Sequence, residues 1–312
     1  MNTLKRELFP HQQAGVERAL KSGRVLIIRP LGSGKTAIGL HVANRLLLPT
    51  NPPGLWVSPA HLLPQLVAEK EQWGLSFPIV LVEKIPPQAT SGTLYAMSYD
   101  RLRLSRDWVL SQKWNLAIVD EFQHTKNTAT QNHQLVKLLS TKVTFFIGMT
   151  GAPFQNSPFE FFNLVALVAG KPIQRKLEDC LAYRYEQSYP WFIRFLRNLL
   201  GLRPKRGPVI GIRDPNTLIS LLSPYVDYAS PQQVAGECGI PKVVSQTVEI
   251  EMSPEEVTHY RKIMRGHRKS LDRKFFEDNL EEEAIERGFS RVSDLRQALL
   301  ETPEGPSSKV VA

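Results

Sequence analysis

Short runs of apolar residues alternate with amphipathic stretches through the first half of the chain. Each apolar run has the length of a buried strand, and the stretches between the runs have apolar residues at helical spacing. This alternation predicts a parallel sheet with helices on both faces, whose ligands bind at the carboxyl ends of the strands. The predicted strands are Val25–Ile28, Leu55–Val57, Ile79–Val82, Leu94–Met97, Leu116–Val119 and Val143–Ile147, and helices are predicted after Pro10, Thr36, His61, Gln131 and Pro158.

The pattern changes after Gly170. Residues 171–215 are rich in Lys and Arg and show little alternation of the kind that strands require. Helices are predicted at 191–201, 218–225 and 253–264, and a half-exposed strand at 243–252. We therefore expect an α/β domain at 1–170, a mainly helical basic extension at 171–306 and a short tail at 307–312.

Composition limits the classes of protein that the chain can represent. With 42% hydrophobic and 22% charged residues among 312, it is typical of a soluble globular protein. The net charge of +9 favours a polyanionic partner. The start has no apolar signal-peptide core, and the apolar stretch 159–170 is too short to span a bilayer. These features predict an intracellular protein, of the cytoplasm or of the nucleoid or nucleus, with no membrane partner.

A candidate phosphate site follows the first predicted strand. Residues 29–36 read RPLGSGKT, and a helical segment begins directly after them. In such a P-loop, glycines let backbone N–H groups approach phosphates, Lys35 reaches the β- and γ-phosphates, and the Thr36 hydroxyl ligates Mg²⁺. The residues expected to hold the nucleotide are Gly32, Ser33, Gly34, Lys35 and Thr36. The alternative is a Gly-Ser turn before a helix, and Arg29 stands where glycine is usual.

An acidic pair, Asp120-Glu121, follows the apolar strand 116–119. Downstream of a P-loop, the first carboxylate of such a pair holds Mg²⁺ and the second orients and deprotonates the attacking water. The alternative is a solvated Asp-Glu at the start of a loop. Together with the P-loop, the pair predicts a catalytic set of Lys35, Asp120 and Glu121.

These motifs, with four others, resemble the N-terminal motor lobe of the Swi/Snf-type DNA translocases, within the superfamily 2 helicases. The matching segments are LFPHQQAGV at 8–16, PLGSGKT at 30–36, VSPAHLLPQLVAEKEQW at 57–73, YAMSYDRLR at 95–103, DEFQHTKN at 120–127 and TGAPFQNSPFEFFNLVALV at 150–168. Looser similarity continues at 240–260 and 295–299. The resemblance implies a RecA-like, three-layer P-loop domain with a mostly parallel sheet, and use of ATP and Mg²⁺.

The resemblance also implies roles for residues outside the P-loop and the acidic pair. Gln12 would pair with the adenine edge of ATP. Gln123, Thr150 and Gly151 would couple the ATP site to DNA, although Gln123 replaces the usual His and Ala152 the usual Thr. Residues near the DNA backbone would be Pro59, Ala60, His61, Ser98 and Tyr99; ordinary loop and cap chemistry is the alternative for these five.

In this family a second lobe carries the arginine fingers, which raise the rate by about 10³–10⁵. The chain ends about where that lobe is expected to begin. We therefore expect ATP binding with slow hydrolysis by the chain alone, and DNA-dependent hydrolysis on duplex DNA once a second-lobe polypeptide or a missing C-terminal part completes the site. One alternative is a module that uses ATP as a switch without efficient hydrolysis. An unrelated P-loop ATPase or kinase would leave DEFQHTKN and TGAPFQN unexplained.

Overall fold

The computed structural model describes residues 7–84, 88–153, 157–183 and 209–238, together with Pro254, 301–302 and 305–306. The chain divides into two compact units, Met1–Lys242 and Val243–Ala312. Within the described part of the second unit, two short strands, Glu301–Thr302 and Gly305–Pro306, form an antiparallel pair. The predicted helix at 191–201 and strand at 243–252 lie outside the described residues, as does the helix at 253–264 except for Pro254.

A seven-stranded sheet, parallel throughout, forms the centre of the first unit. Its strand order is β3-β4-β2-β5-β6-β1-β9. The prediction of a parallel sheet is confirmed, and the last predicted strand begins two residues later than expected and continues to Thr150. The strands are β1 Arg24–Ile28, β2 Gly54–Ser58, β3 Ile79–Leu81, β4 Leu94–Ser98, β5 Leu116–Val119, β6 Phe145–Thr150 and β9 Val226–Tyr228.

Helices connect these strands, and five of them begin at or close to the positions that the sequence predicted, whereas α4 and α5 were not predicted. Local signals set their ends: Pro10 and Pro158 occupy first turns, the Thr130 hydroxyl accepts from the backbone of His133, and Gly170 ends a helix with φ of 64°. The helices are α1 Pro10–Ser22, α2 Lys35–Leu46, α3 Leu63–Gln72, α4 Tyr99–Leu104, α5 Arg106–Ser111, α6 Gln131–Lys142 and α7 Pro158–Ala169, with 3-10 turns at Ala60–Leu62 and Phe122–Thr125.

The sheet has an apolar core on each face, because alternate residues of a strand point to opposite sides. On β1, Leu26 belongs to one core and Ile27 to the other. Packing is close enough to require glycine at two positions, since a Cβ added at Gly39 or at Gly148 would come within 2.6 Å of an aromatic ring, that of Trp56 or Phe122. Helices therefore cover both faces of the sheet, as in RecA-like domains.

The segment after α7 contains both helices and strands. Strands β7 Leu181–Tyr183 and β8 Val209–Ile212 pair antiparallel, and the helices are α8 Gln174–Glu178, α9 Pro215–Leu222 and α10 Pro231–Cys238. Helix α9 lies close to the position predicted for it. Strand β9 is an addition that the sequence did not predict, and it extends the sheet beyond β1 with Asp227 beside Ile27. Within the described residues, none of the helices is long and apolar enough to cross a membrane.

Candidate nucleotide site

Three of the motifs meet at one edge of the sheet. The P-loop follows β1, the acidic pair follows β5, and Thr150-Gly151 ends β6; these strands are neighbours in the order β5-β6-β1. The ends of β6 and β1 are joined by a hydrogen bond from the Arg29 N–H to the Thr150 carbonyl, at 3.2 Å. Because the strands are parallel, all three motifs leave the sheet at the same edge, where such folds bind their ligands.

The P-loop has a backbone that only glycine adopts readily. Gly32 and Gly34 have φ of 74° and 76°, and Gly34 lies at the amino end of α2, with Thr36 half-buried in its first turn. The Ser33 hydroxyl is buried and has no hydrogen-bond partner among the described residues. A buried hydroxyl without a partner is costly, and a phosphate oxygen would satisfy it. The loop therefore fits a bound phosphate.

Lys35 is buried between the P-loop and the acidic pair. Its Nζ lies 3.3 Å from the carbonyl oxygens of both Arg29 and Pro30. Burial lowers the pKa of Lys35, while the nearby charges of Glu121 and Asp120 favour its protonated form. A Cβ added at Gly151 would lie 3.5 Å from that nitrogen. The end of β6 thus contacts the lysine that would hold the γ-phosphate.

Asp120 is a buried carboxylate. Burial raises its pKa to about 6, a shift opposed by the hydrogen bond from the Glu121 N–H and increased by the charge of Glu121. Its Oδ1 accepts the Glu121 N–H at 2.9 Å. A cation bound beside this group would offset the cost of burying its charge, so Asp120 fits the predicted Mg²⁺ ligand.

Glu121 has a strained backbone. Its φ of 47° is the only positive value for a non-glycine residue among those described, and such conformations collect at functional sites. The Tyr99 hydroxyl supports this turn by donating to the carbonyls of Asp120 and Glu121, at 2.7 and 3.2 Å. This supported turn therefore sets the direction in which the Glu121 side chain leaves the backbone.

A hydrogen-bonded chain joins Glu121 to the end of β6. The Gln123 Nε2 donates to Glu121 Oε2 at 2.6 Å, and the Thr150 hydroxyl donates to Gln123 Oε1, also at 2.6 Å. The Ala152 N–H in turn donates to the Thr150 hydroxyl oxygen at 3.1 Å. The structure thus brings four residues into one hydrogen-bonded series, Glu121, Gln123, Thr150 and Ala152, and two of them, Gln123 and Thr150, are predicted coupling residues.

Gln12 reaches the P-loop from α1. Its Nε2 donates to the Ser33 carbonyl at 3.0 Å, and its Oε1 accepts the Phe9 N–H at 3.0 Å. One amide hydrogen and one oxygen lone pair remain beyond these two bonds. The pairing of Gln12 with adenine stays a prediction.

Comparison with protein families matches residues 82–302, more than half of the chain, to the SNF2-related domain. The chain belongs to the SNF2-related family. The matched range contains the acidic pair and Thr150. The P-loop precedes it, and its assignment rests on the loop geometry and on the residues of RPLGSGKT.

Two curated relatives support membership of this family. The SWI/SNF-related matrix-associated actin-dependent regulator of chromatin subfamily A-like protein 1 homolog of Caenorhabditis elegans is 30% identical over 190 residues, covering 58% of this chain and 27% of the relative. The uncharacterized ATP-dependent helicase YqhH of Bacillus subtilis is 30% identical over 166 residues, covering 51% and 29%. The chain thus spans under a third of the length of these two relatives.

Solved structures support the RecA-like fold. The SWI2/SNF2 ATPase core of Sulfolobus solfataricus in complex with double-stranded DNA has a TM-score of 0.56 and 16% identity, over 95% of this chain and 58% of that chain. A second structure, the Sulfolobus solfataricus SWI2/SNF2 ATPase core domain, has a TM-score of 0.54 and 16% identity, over 95% of this chain and 57% of that chain. The predicted fold class and the resemblance to an SNF2-type lobe are confirmed.

The predicted DNA-contacting residues of this SNF2-related chain divide into two sets. Ala60 and His61 are exposed and Pro59 is half-buried, in and before the 3-10 turn that follows β2. Ser98 instead caps α4, its hydroxyl accepting the Arg101 N–H at 3.1 Å, and Tyr99 is buried against the acidic turn. Ser98 and Tyr99 thus have local structural roles in addition, and DNA contact by all five residues stays a prediction.

Four residues around the P-loop were given no role at the level of sequence. Arg29 is buried and forms an ion pair with Asp227 of β9 at 2.6 Å, and His11 faces Glu237 of α10, also at 2.6 Å. The sequence contains one signal of these contacts. Arg29 stands where the P-loop usually has glycine, and a buried arginine requires an anionic partner. The identity of that partner, 198 residues away, follows from the fold alone.

Proposed function

We propose that the chain is the ATP-binding first lobe of an SNF2-type, DNA-dependent ATPase that moves along duplex DNA when a second lobe completes its site. The observation that carries the proposal is the meeting of Lys35, the Asp120-Glu121 pair and Thr150 at one edge of the sheet. A P-loop lysine, a metal-binding acid, a water-orienting acid and a coupling residue are the parts that phosphoryl transfer to water requires.

The roles of the nucleotide-site residues follow from their positions. The backbone of Gly32 to Gly34 and the Ser33 hydroxyl would hold phosphate oxygens, and Lys35 would neutralise the γ-phosphate. Thr36 and Asp120 would hold Mg²⁺. The bound ion supplies electrostatic stabilisation of the charge that develops on the phosphate oxygens. Glu121 would orient the attacking water and accept its proton.

Gln123 links the water-orienting acid to β6. Its amide donates to one Glu121 oxygen and accepts from Thr150, so a shift of the β6 end alters the aim of the carboxylate. In the family this β6 segment couples the ATP site to DNA. The hydrogen bonds provide a physical connection for that coupling, because Gln123 and Thr150 each have one defined partner on either side.

Duplex DNA as the substrate is supported by a neighbour and by charge. The Sulfolobus solfataricus core with the same fold is described in complex with double-stranded DNA. In this chain, a groove of about 440 Å³ follows the carboxyl ends of β3 and β4 and contains one acid, Asp107. Basic side chains attract the phosphates of DNA whatever its base sequence. The cations that line the groove are Lys84, Arg101, Arg103 and Arg106.

The nucleotide site is open on one side. Leu31, at the tip of the P-loop, is 81% exposed, and Glu121 is half-buried. A second lobe, on another polypeptide or on a further part of the same protein, would close this side and add its arginine fingers to the γ-phosphate. That step accounts for full turnover in the proposal, since an arginine finger adds about 10³–10⁵ in rate.

The proposal is tested by ATP binding and hydrolysis with and without a second-lobe polypeptide, recognised by its Gln-x-x-x-Arg-x-x-Arg sequence. We expect the chain alone to bind Mg·ATP through Lys35 and to hydrolyse it slowly, and the mixture to hydrolyse it at least about 10³-fold faster. Replacing the second-lobe arginines by alanine removes that gain. Tight ATP binding with no acceleration by any second lobe would contradict the motor proposal and favour the ATP switch.

A further inference from the structure

The segment that follows β8 reaches back to the P-loop at two points. Asp227 of β9 contacts Arg29 at the start of the loop, and Glu237 of α10 contacts His11, which in turn contacts the middle of the loop. We propose that Asp227 and Glu237 are positioning residues of the nucleotide site, which hold the P-loop backbone in its phosphate-binding form through Arg29 and His11. This inference rests on the proposed function, because it concerns the same nucleotide.

The His11 ring has an acceptor on each side. Its Nδ1 lies 2.6 Å from Glu237 Oε2, and its Nε2 lies 3.1 Å from the Ser33 carbonyl oxygen. A carbonyl oxygen and a carboxylate oxygen are both acceptors, so the ring lies between two acceptors and joins Glu237 to the P-loop backbone. The backbone N–H of His11 donates to the same Glu237 oxygen at 2.7 Å and lowers the pKa of that carboxyl.

The His11 ring and the Gln12 amide together fix one peptide plane of the P-loop. Both side chains donate to the Ser33 carbonyl, at 3.1 and 3.0 Å. In a planar trans peptide the C=O and the following N–H point in opposite directions. Holding the Ser33 carbonyl towards α1 therefore turns the Gly34 N–H to the other side of the loop. A Cβ added at Gly34 would lie 2.3 Å from Gln12 Nε2, so a side chain there would displace the Gln12 amide, and the φ of 76° also favours glycine.

The second contact fixes the start of the loop. The Arg29 guanidinium donates to Asp227 Oδ2 at 2.6 Å, to the Asp227 carbonyl at 2.9 Å and to the Ile28 carbonyl at 3.0 Å. The carbonyl of Arg29 itself accepts from Lys35 Nζ. Asp227 thus acts on Lys35 through one residue, and losing its charge would leave a buried guanidinium without an anion.

Both contacts come from one short stretch, Val226 to Cys238. Among the described residues, Glu237 is the charged side chain within ion-pair distance of the His11 ring, and Asp227 is the one within that distance of Arg29. Neither acid would touch the nucleotide. A change in the position of β9 and α10 would therefore alter nucleotide affinity without any change in the P-loop sequence.

The test is the dissociation constant of a fluorescent ADP analogue with Mg²⁺, measured on the full chain and on its Glu237→Gln and Asp227→Asn variants. We expect each to weaken binding roughly tenfold, the scale of one hydrogen bond to a charged group. Glu17→Gln is the matched control, since Glu17 lies on the exposed side of α1 and bonds to Gln13. A His11→Gln/Glu237→Gln double variant should be no weaker than His11→Gln alone.

A conservative variant separates positioning from a general loss of structure. Glu237→Asp keeps the negative charge on a shorter side chain, so it should bind the ADP analogue more tightly than Glu237→Gln and more weakly than the parent chain. The affinity of Glu17→Gln should match that of the parent. If Glu237→Gln does not fold, the comparison of Glu237→Asp with the parent and with Glu17→Gln still tests the role of Glu237, and parent-like affinity in Glu237→Asp together with Asp227→Asn would contradict it.

The outcomes distinguish this inference from the proposed function. Parent-like affinity in Glu237→Gln and Asp227→Asn, together with loss of binding in Lys35→Ala, would overturn the positioning role and leave the ATP site intact. If the parent chain itself binds no nucleotide, the proposed function fails first.

Discussion

Three ionisable residues of the nucleotide site lie where burial disfavours their charge or the backbone is strained. Burial lowers the pKa of Lys35 and raises that of Asp120, and Glu121 has a left-handed backbone. Such features reduce the stability of the protein without ligand and are typical of sites whose partner supplies the missing interaction. The residue-scale predictions follow from this imbalance.

Replacing Asp120 by Asn should stabilise the ligand-free protein at neutral pH. Because the folded pKa of about 6 exceeds the ordinary aspartate value of 3.8, the stability that the protonated carboxyl provides is present at low pH and is lost as pH rises through 6. The difference of about two pKa units corresponds to roughly 3 kcal/mol at pH 7. Denaturant unfolding should show this gain at pH 7 and little difference at pH 4.

The opposite order at pH 7, with Asp120→Asn less stable than the parent, would contradict the buried-charge account. Addition of Mg·ATP provides the control. It should stabilise the parent chain more than the variant, because the variant lacks the carboxylate proposed as a metal ligand.

Replacing Thr150 by Val should separate ATP binding from DNA stimulation. Valine keeps the shape of threonine but removes the hydroxyl that donates to Gln123, so Glu121 loses its link to β6. In the completed enzyme we expect a nearly unchanged ATP dissociation constant and a DNA-stimulated rate reduced about three- to thirtyfold. Thr141→Val, at an exposed position on α6, is the control; an equal loss in both variants would argue against the hydrogen-bonded chain.

At the scale of elements, the sequence was sufficient to predict the strands and helices whose apolar residues follow a regular spacing. Six strands and six helices lie at or close to their predicted positions, because their apolar runs and caps are local. Strand β9 was missed because Asp227 occupies the middle of its three residues, and a charged centre is not typical of a strand. Its place is set by pairing with β1 and by the Arg29 ion pair, which are long-range contacts. Helices α4 and α5, of six residues each, are too short for a periodic signal.

The groove beside α4 and α5 leads to a prediction about DNA affinity. Arg103 pairs with Asp100 and Arg101 donates to the Glu83 carbonyl, whereas Arg106 has no ion-pair partner among the described residues. Arg106→Ala should weaken binding to duplex DNA about equally for all sequences and reduce the slope of log affinity against log salt by about 0.9. Lys21→Ala, at an exposed position in the last turn of α1, should change neither quantity.

At the scale of the whole molecule, the nucleotide site depends on residues far apart in the chain. Sequence motifs identified the P-loop, the acidic pair and Thr150, because each is a local pattern with a known chemical use. The pairs Arg29–Asp227 and His11–Glu237, separated by 198 and 226 residues, carry no local signature. The predicted boundary at 170 divides these pairs, while the compact unit that contains them runs to Lys242.

This difference is measurable with two fragments. A fragment of residues 1–242 should unfold cooperatively, because it keeps β9 and both ion pairs. A fragment of residues 1–170 leaves the β1 edge and the buried Arg29 without partners and should be markedly less stable, since removing one member of a buried pair costs about 3–5 kcal/mol. Equal cooperative unfolding of both fragments would show that the sequence-based boundary is sufficient.

The most direct test of the central claim is the steady-state rate of ATP hydrolysis as duplex DNA is added, at saturating Mg·ATP and with the second-lobe polypeptide present. The account predicts a rate that rises with DNA to a plateau, and no rise in Lys35→Ala or Glu121→Gln. A rate that stays the same at every DNA concentration, in a protein that binds ATP through Lys35, would contradict it.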